Sequence, residues 1–174
     1  NFRPVKRIMD VIHIFDKIQK QVKSKLIMVG EGPEKERAED LVMELGLENK
    51  VVFLGESNEI HKILCFSDLF LLPSEKESFG LAALEAMVNG VPVISTNSGG
   101  LPEVNIHGFS GYLCELGNVE EMANCGISIL GDEDNLGRFR LNAKKQAKKF
   151  DINSIVPLYE DLYTTALSEI KKTV

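Results

Sequence analysis

The chain has 174 residues, of which 44 % are hydrophobic, which is enough for one domain with a buried core and too few for two. Its formal net charge of −6 argues against a nucleic acid or an anionic membrane as partner, because such a surface repels polyanions. The three cysteines, Cys65, Cys114 and Cys125, are 49 and 11 residues apart, so neither a disulfide framework nor a zinc site is predicted, and a reducing cytoplasm fits best.

The chain alternates between helical and strand patterns. Residues 5–22 have apolar side chains at helical spacing and predict an amphipathic helix. Short apolar runs predict strands at 25–29, 51–54, 69–72, 92–95 and 111–114. Further helices are predicted at 34–45, from Ser57 or Asn58 to about 66, from Ser78 to about 89, and at 119–130, 133–149 and 154–171, with Pro157 in the first turn of the last.

This alternation predicts the fold class. Strands that are apolar throughout and separated by helices indicate a parallel sheet covered on both faces. The expected architecture is therefore an α/β, Rossmann-like, doubly wound domain over residues 1–174. Ligands of such folds lie at the carboxyl ends of the strands, where loops lead into helices. The stretch "EKESFGLAALEA", residues 75–86, falls at such a junction.

The chemistry of this junction suits an anionic ligand. Gly80 lacks a Cβ, so an anion could approach the free N–H groups at the helix start, to which Leu81 and Ala82 would contribute. Glu85 lies about 7 Å further along the helix axis and could bind a diol such as ribose, while Glu77 could bind a second polyol. A nucleotide-sugar would fit this arrangement.

An ordinary structural explanation remains open at this point. Ser78 could be the helix N-cap, Glu77 could complement the helix dipole, and Glu85 could be a solvated surface residue. The motif alone does not decide between the two interpretations.

The longer pattern resembles a known family. Two glutamates eight residues apart with the filling "SFGLAALEA" resemble the signature of the retaining GT-B glycosyltransferases, the large family that contains sucrose synthase-like and lipid mannosyl enzymes. The strings "LIMVGEGPE", "VVFLGE", "GVPVISTNSGGLPEV" and "GFSGYLCELGN" extend the resemblance over essentially the whole chain. It implies the donor-binding, C-terminal half of a two-domain fold. The start at "NFRPVKR", without Met, agrees with a fragment that lacks an N-terminal acceptor domain.

The resemblance implies roles for individual residues. Glu77 and Lys6 are the expected catalytic residues, with Glu77 on the transferred sugar and Lys6 on the diphosphate. The family usually has Arg five residues before this Lys, where Asn1 stands here, and Arg3 is the candidate replacement. The remaining donor-binding residues implied are Gly55, Glu56, Ser78, Phe79, Gly80, Leu81, Ala82 and Glu85. The family needs no metal or cofactor in this half, and no D-x-D pair is present.

The strings "NFRPVKR" and "LLPSEKESFGLAALEAM" resemble more narrowly the bacillithiol-pathway branch of the family. Its members join N-acetylglucosamine from a UDP-sugar to L-malate. Two alternatives to this function are open. The chain could belong to a transferase that acts on another cell-wall or capsule acceptor, or it could be a non-catalytic nucleotide-binding module. The expected partners are the UDP-sugar and the missing N-terminal domain. The sequence shows no strong membrane signal, and it leaves self-association into a homo-oligomer open.

Other residues have structural interpretations. Cys65 lies in an apolar stretch and is expected in the core, and the three histidines, His13, His61 and His107, are expected in structural, surface or turn positions. The loops "GEGP" (30–33) and "SGG" (98–100) lie on the predicted ligand edge and could approach the donor through their backbone. The last helix carries apolar residues along one face, and in the family this helix often crosses back to the first domain.

Overall fold

The computed structural model describes the backbone of residues 1–173 and the side chains of residues 1–167. Within this part of the chain, five parallel strands alternate with helices. The strands are β1 (Leu26–Val29), β2 (Val51–Gly55), β3 (Phe70–Leu72), β4 (Val93–Thr96) and β5 (Gly111–Cys114). The helices are α1 (Ile8–Gln19), α2 (Lys35–Glu44), α3 (Ile60–Cys65), α4 (Leu81–Val88), α5 (Leu101–Val104), α6 (Val119–Leu130), α7 (Glu133–Ala147) and α8 (Ile152–Thr173), with 3-10 turns at Pro4–Lys6 and Lys148–Phe150.

The parallel doubly wound arrangement is confirmed, but the backbone pairing divides it into two sheets. β1 pairs with β2, and β4 lies between β3 and β5. Successive residues of β4 face opposite sides of the sheet: Val93 packs with α4 and α5, and Ile94 packs with α1 and α6. Helices therefore cover both faces of this sheet, as continuous apolar strands require.

The first helix joins the two sheets. Ile12 and Phe15 of α1 pack against β1, β2 and α2. Ile14 and Ile18, on another side of the same helix, pack against β4, β5 and α6. All four side chains are buried, so α1 contributes to two hydrophobic clusters at once.

The start of α1 differs from the prediction. The helix begins at Ile8 and not at residue 5, because Arg7 has the left-handed backbone conformation, with φ of 50°. Such a residue cannot continue a right-handed helix. The preceding residues instead form the 3-10 turn, which Pro4 begins.

Three other predictions are corrected. Cys65 was expected in the core but is exposed, and Leu64 is the buried residue of the short helix α3. The loop predicted after β4 contains a four-residue helix, α5, with a proline in its first turn. α8 begins at Ile152, two residues earlier than expected, so Pro157 lies inside the helix and not in its first turn.

Candidate functional site

Backbone hydrogen bonds connect the loops at the carboxyl ends of the strands. Gly30 donates to Gly55, linking the ends of β1 and β2 at 2.7 Å, and Phe2 donates to Glu31 at 2.9 Å. Glu75, after β3, donates to Val5 at 2.9 Å, and Gly100, after β4, donates to Glu77 at 3.0 Å. The N-terminal segment thus lies between the loops that follow β1 and β3. Every loop on this edge that carries a predicted site residue is tied to a neighbour.

The two predicted catalytic residues meet at this edge. Lys6 Nζ lies 2.6 Å from Glu77 Oε2, although the residues are 71 positions apart. Both side chains are largely shielded, with exposed fractions of 28 % for Lys6 and 16 % for Glu77. A cation and a carboxylate held in this way could face a charged group and a hydroxyl-bearing group of one ligand.

Arg7 sets the position of Lys6. Because its backbone is left-handed, the 3-10 turn that carries Lys6 ends there and α1 starts in a new direction. The Arg7 side chain is held at 2.6 Å by Asp10, which lies in the first turn of α1. This ion pair keeps the Arg7 guanidinium next to its own helix.

The N-terminal end of α4 is formed by a glycine. Gly80 is the N-cap, with φ of 98°, and the first helical hydrogen bond runs from Leu84 to Gly80 at 3.0 Å. The amides of Leu81 and Ala82 precede that bond and carry the positive end of the helix dipole. Ser78 is exposed and is not the cap, so the capping interpretation of this serine is wrong.

The other predicted donor-binding side chains are accessible. Glu85 and Arg3 are exposed, and neither side chain has a partner among the residues whose side chains are described. Phe79 is 37 % exposed, and its ring packs edge-on against Phe150 with centroids 5.8 Å apart. Glu85 lies in α4, one and a half turns beyond Gly80.

Gly55 and Glu56 lie on the far side of this edge. Gly55 ends β2 with φ of 71°, and a Cβ there would approach Glu31 Oε1 to 3.2 Å. Glu56 is exposed. Backbone hydrogen bonds connect Gly55 to the loop after β1, and that loop to the N-terminal segment that carries Lys6.

The loop after β4 packs against the loop that carries Glu77. A direct approach of this loop to the donor stays a prediction. A Cβ at Gly99 would lie 2.0 Å from the Glu77 carbonyl oxygen, and one at Gly100 would lie 2.6 Å from that of Ser78. The Thr96 hydroxyl donates to the Ser74 carbonyl at 2.6 Å. These contacts fix the loop that carries Glu77, and the string "STNSGG" of small and polar residues was their only signal.

The described residues also bear on metal sites and membrane spans. Where side chains are described, no three His, Cys, Asp or Glu residues cluster as metal ligands would. The absence of a metal in the function therefore stays a prediction. No helix in the described part of the chain has the length and apolar character needed to cross a membrane.

Comparison with known families places the chain. The family described as "Glycosyl transferases group 1" matches residues 1–149. The chain belongs to this family. The predicted GT-B architecture is thereby supported, whereas the roles given to individual site residues stay predictions.

Individual relatives narrow the comparison. The chain is 46 % identical, over 98 % of its length, to N-acetyl-alpha-D-glucosaminyl L-malate synthase of Bacillus anthracis. It is 33 % identical, over 80 % of its length, to 2-deoxystreptamine N-acetyl-D-glucosaminyltransferase of Niallia circulans. It covers 45 % of the first relative and 36 % of the second, so it spans less than half the length of each.

The fold is also similar to that of solved structures. Anabaena HepE, in a crystal structure with UDP and glucose, matches with a TM-score of 0.86 and 27 % identity. The match covers 95 % of this chain and 46 % of HepE. The bacillithiol-pathway resemblance and the GT-B fold predicted from sequence are both confirmed by these similarities.

Proposed function

We propose that this chain is the donor-binding half of a glycosyltransferase that moves N-acetylglucosamine from a UDP-sugar to L-malate in bacillithiol biosynthesis. The observation that carries the donor site is the Lys6–Glu77 contact beside the glycine-capped N-terminus of α4. The choice of sugar and acceptor is supported by the 46 % identity to the N-acetylglucosaminyl malate synthase.

The proposed chemistry uses fixed positive charge. Transfer from a nucleotide-sugar leaves a diphosphate, whose negative charge grows as the bond to the sugar breaks. Lys6 and the amides of Gly80, Leu81 and Ala82 would stabilise this charge, with Arg3 as a second cation. Removing one such preorganised donor costs on the order of 10²–10³ in rate in well-studied enzymes.

Glu77 would position the sugar, and Glu85 would bind the ribose. The ion pair between Lys6 and Glu77 fixes the direction of the Glu77 carboxylate. This carboxylate would therefore accept hydrogen bonds from the sugar hydroxyls in a fixed orientation. Gly55 and Glu56, at the carboxyl end of β2, would contact the base through their backbone. We do not assign Glu77 a nucleophilic role. We expect transfer with retention of the anomeric configuration.

The acceptor would be bound elsewhere in a longer protein. The chain covers less than half the length of each of these two curated relatives. A GT-B enzyme binds its two substrates between two domains. We therefore expect the chain alone to bind donor weakly and to transfer little or no sugar. All three cysteines are free, which fits action in the cytoplasm. The similarity to 2-deoxystreptamine N-acetyl-D-glucosaminyltransferase makes a different acceptor the second candidate.

Calorimetric titration tests the donor site. UDP and UDP-N-acetylglucosamine are titrated into the wild type, Glu85→Ala and the control Glu44→Ala, whose exposed carboxylate lies in the last turn of α2. We expect Glu85→Ala to weaken UDP binding by about 1–3 kcal/mol, or roughly 5- to 150-fold in Kd, because a charged acceptor of ribose hydroxyls is lost. The control should bind as the wild type does.

The outcomes separate the alternatives. If UDP binds equally to wild type and Glu85→Ala, the ribose assignment is wrong. Equal affinity for UDP and the UDP-sugar, with no transfer by the longer protein, would favour a non-catalytic nucleotide-binding module. A folded wild type that binds neither ligand would contradict a donor site formed by this half alone.

A further inference from the structure

Two hydroxyl side chains at the end of β4 and in the loop after it hold the backbone of the loop that carries Glu77. The Thr96 hydroxyl donates to the Ser74 carbonyl at 2.6 Å. The Ser98 hydroxyl donates to the carbonyl of the next residue, Glu75, at 3.2 Å. Two successive residues that lie just before Glu77 are therefore attached to a neighbouring segment through side-chain hydroxyls.

The Thr96 bond is the more important of the two. Thr96 and Ser74 are completely buried, whereas Ser98 is half-buried. The single hydroxyl proton of Thr96 is used on the Ser74 carbonyl, so in the 3.2 Å contact between the Thr96 and Ser98 hydroxyls Thr96 is the acceptor. Ser98 therefore divides its own proton between Thr96 and Glu75. A buried carbonyl that lost the Thr96 donor would be left unpaired, which is costly away from water.

The same loop is also attached to the segment that carries Lys6. The Glu75 amide donates to the Val5 carbonyl at 2.9 Å, and Lys6 is the next residue along that segment. The Glu77 carbonyl accepts from the Gly100 amide at 3.0 Å. The loop is thus held by the N-terminal segment and by the loop after β4, and the 2.6 Å contact between Lys6 Nζ and Glu77 Oε2 depends on both attachments.

We propose that Thr96, with a smaller contribution from Ser98, is a positioning residue that sets the Glu77 carboxylate against the transferred sugar. This inference rests on the proposed function, in which Glu77 binds the sugar and other residues bind the nucleotide. Neither hydroxyl needs to touch the donor, because both act on the backbone of the loop before Glu77. Recognition of the sugar should therefore depend on the Thr96 hydroxyl, and recognition of the nucleotide should depend on it much less.

The proposed nucleotide contacts on α4 have separate support. This helix carries Glu85 and begins with the amides that follow Gly80. It is held in the core by three completely buried side chains, those of Ala83, Ala86 and Met87. The Thr96 bond reaches the chain at Ser74, before α4 begins. Loss of the Thr96 hydroxyl should therefore move the loop that carries Glu77 and leave α4 in place.

Calorimetric titration of UDP and UDP-N-acetylglucosamine into the full chain tests the proposal. Thr96→Val removes the hydroxyl and keeps the shape of the side chain, and Thr96→Ser retains a donor. We expect Thr96→Val to weaken binding of UDP-N-acetylglucosamine roughly 3- to 10-fold and binding of UDP less than about twofold. Thr96→Ser should restore most of the lost affinity. Ser98→Ala should change the affinity for the UDP-sugar less than Thr96→Val does, because its hydrogen bonds are longer and less buried.

Ser110→Ala is the matched control for the loss of a buried hydroxyl. The Ser110 hydroxyl is completely buried and donates to Asn105 Oδ1 at 3.0 Å, so it belongs to a different group of hydrogen bonds. This variant should bind UDP and UDP-N-acetylglucosamine with the same affinity ratio as the wild type. A fall in that ratio as large as that of Thr96→Val would mean that a general loss of stability is the cause, and it would overturn the proposal.

A double-mutant cycle shows whether Thr96 acts through Glu77. Glu77→Ala should lower the affinity for UDP-N-acetylglucosamine relative to UDP, and adding Thr96→Val should lower it no further. An equal fold-loss from Thr96→Val with and without Glu77, or an unchanged ratio in Thr96→Val alone, would overturn the proposal. The proposed function would survive either result if the wild type still bound the donor through Glu85. A folded wild type that bound neither ligand would contradict the donor site and this inference together.

Discussion

Two helices of this molecule, α4 and α8, use their apolar residues in opposite ways. α4 has eight residues, and Ala83, Ala86 and Met87 in it are completely buried. α8 has 22 residues, yet its large apolar side chains from Ile152 to Leu167 are mostly exposed. An apolar pattern thus predicts a helix in both places, but only the contacts of α4 hold the described fold and its site together.

The largest expected effect comes from removing a buried side chain of α4. Met87→Ala should lower the free energy of unfolding by about 2–5 kcal/mol, because it leaves a cavity in the cluster beneath the site. Chemical denaturation measures this, with Val88→Ala, a 60 % exposed neighbour, as control. Similar losses for both variants would show that α4 is not held by its buried face.

A smaller effect is expected where the loop after β4 meets the loop before α4. Gly99→Ala places a Cβ 2.0 Å from the Glu77 carbonyl oxygen at a residue with φ of 57°. The strain should cost about 1–3 kcal/mol of stability and weaken binding of UDP-N-acetylglucosamine, since Glu77, which would position the sugar, must move. Gly108→Ala is the matched control, because Gly108 also has a positive φ of 71° but has open space around it. Equal costs would mean that the loops are not in contact.

The smallest effect is expected in α8. Leu162→Ala should change the free energy of unfolding by about 0.5 kcal/mol or less, because its side chain is 61 % exposed. Denaturation at two protein concentrations measures it. A loss as large as that of Met87→Ala would show that the apolar side of α8 is covered in solution, and a concentration dependence would identify a second copy as the cover.

The sequence predicted the strands better than the site. The strands are short segments without alternating polar residues, and all five were located to within one or two residues. The start of α1 was missed because no propensity identifies Arg7 as left-handed. The short α5, with Pro102 at its start, has too few residues for a periodic pattern.

The arrangement of the site depended on contacts between distant residues. Lys6 and Glu77 are 71 positions apart, and only the resemblance to a family suggested that they serve one ligand. Their direct ion pair was not foreseen. The contact of Gly99 with the Glu77 backbone was equally invisible, because glycine in a loop usually indicates only a turn.

The position of α1 has a consequence for how the molecule unfolds. This helix contributes side chains to the cluster over β1 and β2 and to the cluster over β4 and β5. If either sheet unfolds, α1 loses the contacts on one of its sides, and the remaining sheet then loses the support of α1. Two sheets without backbone pairing between them in the described chain should therefore lose structure in a single cooperative transition. Heat would then dismantle the two ends of the proposed nucleotide-sugar site simultaneously.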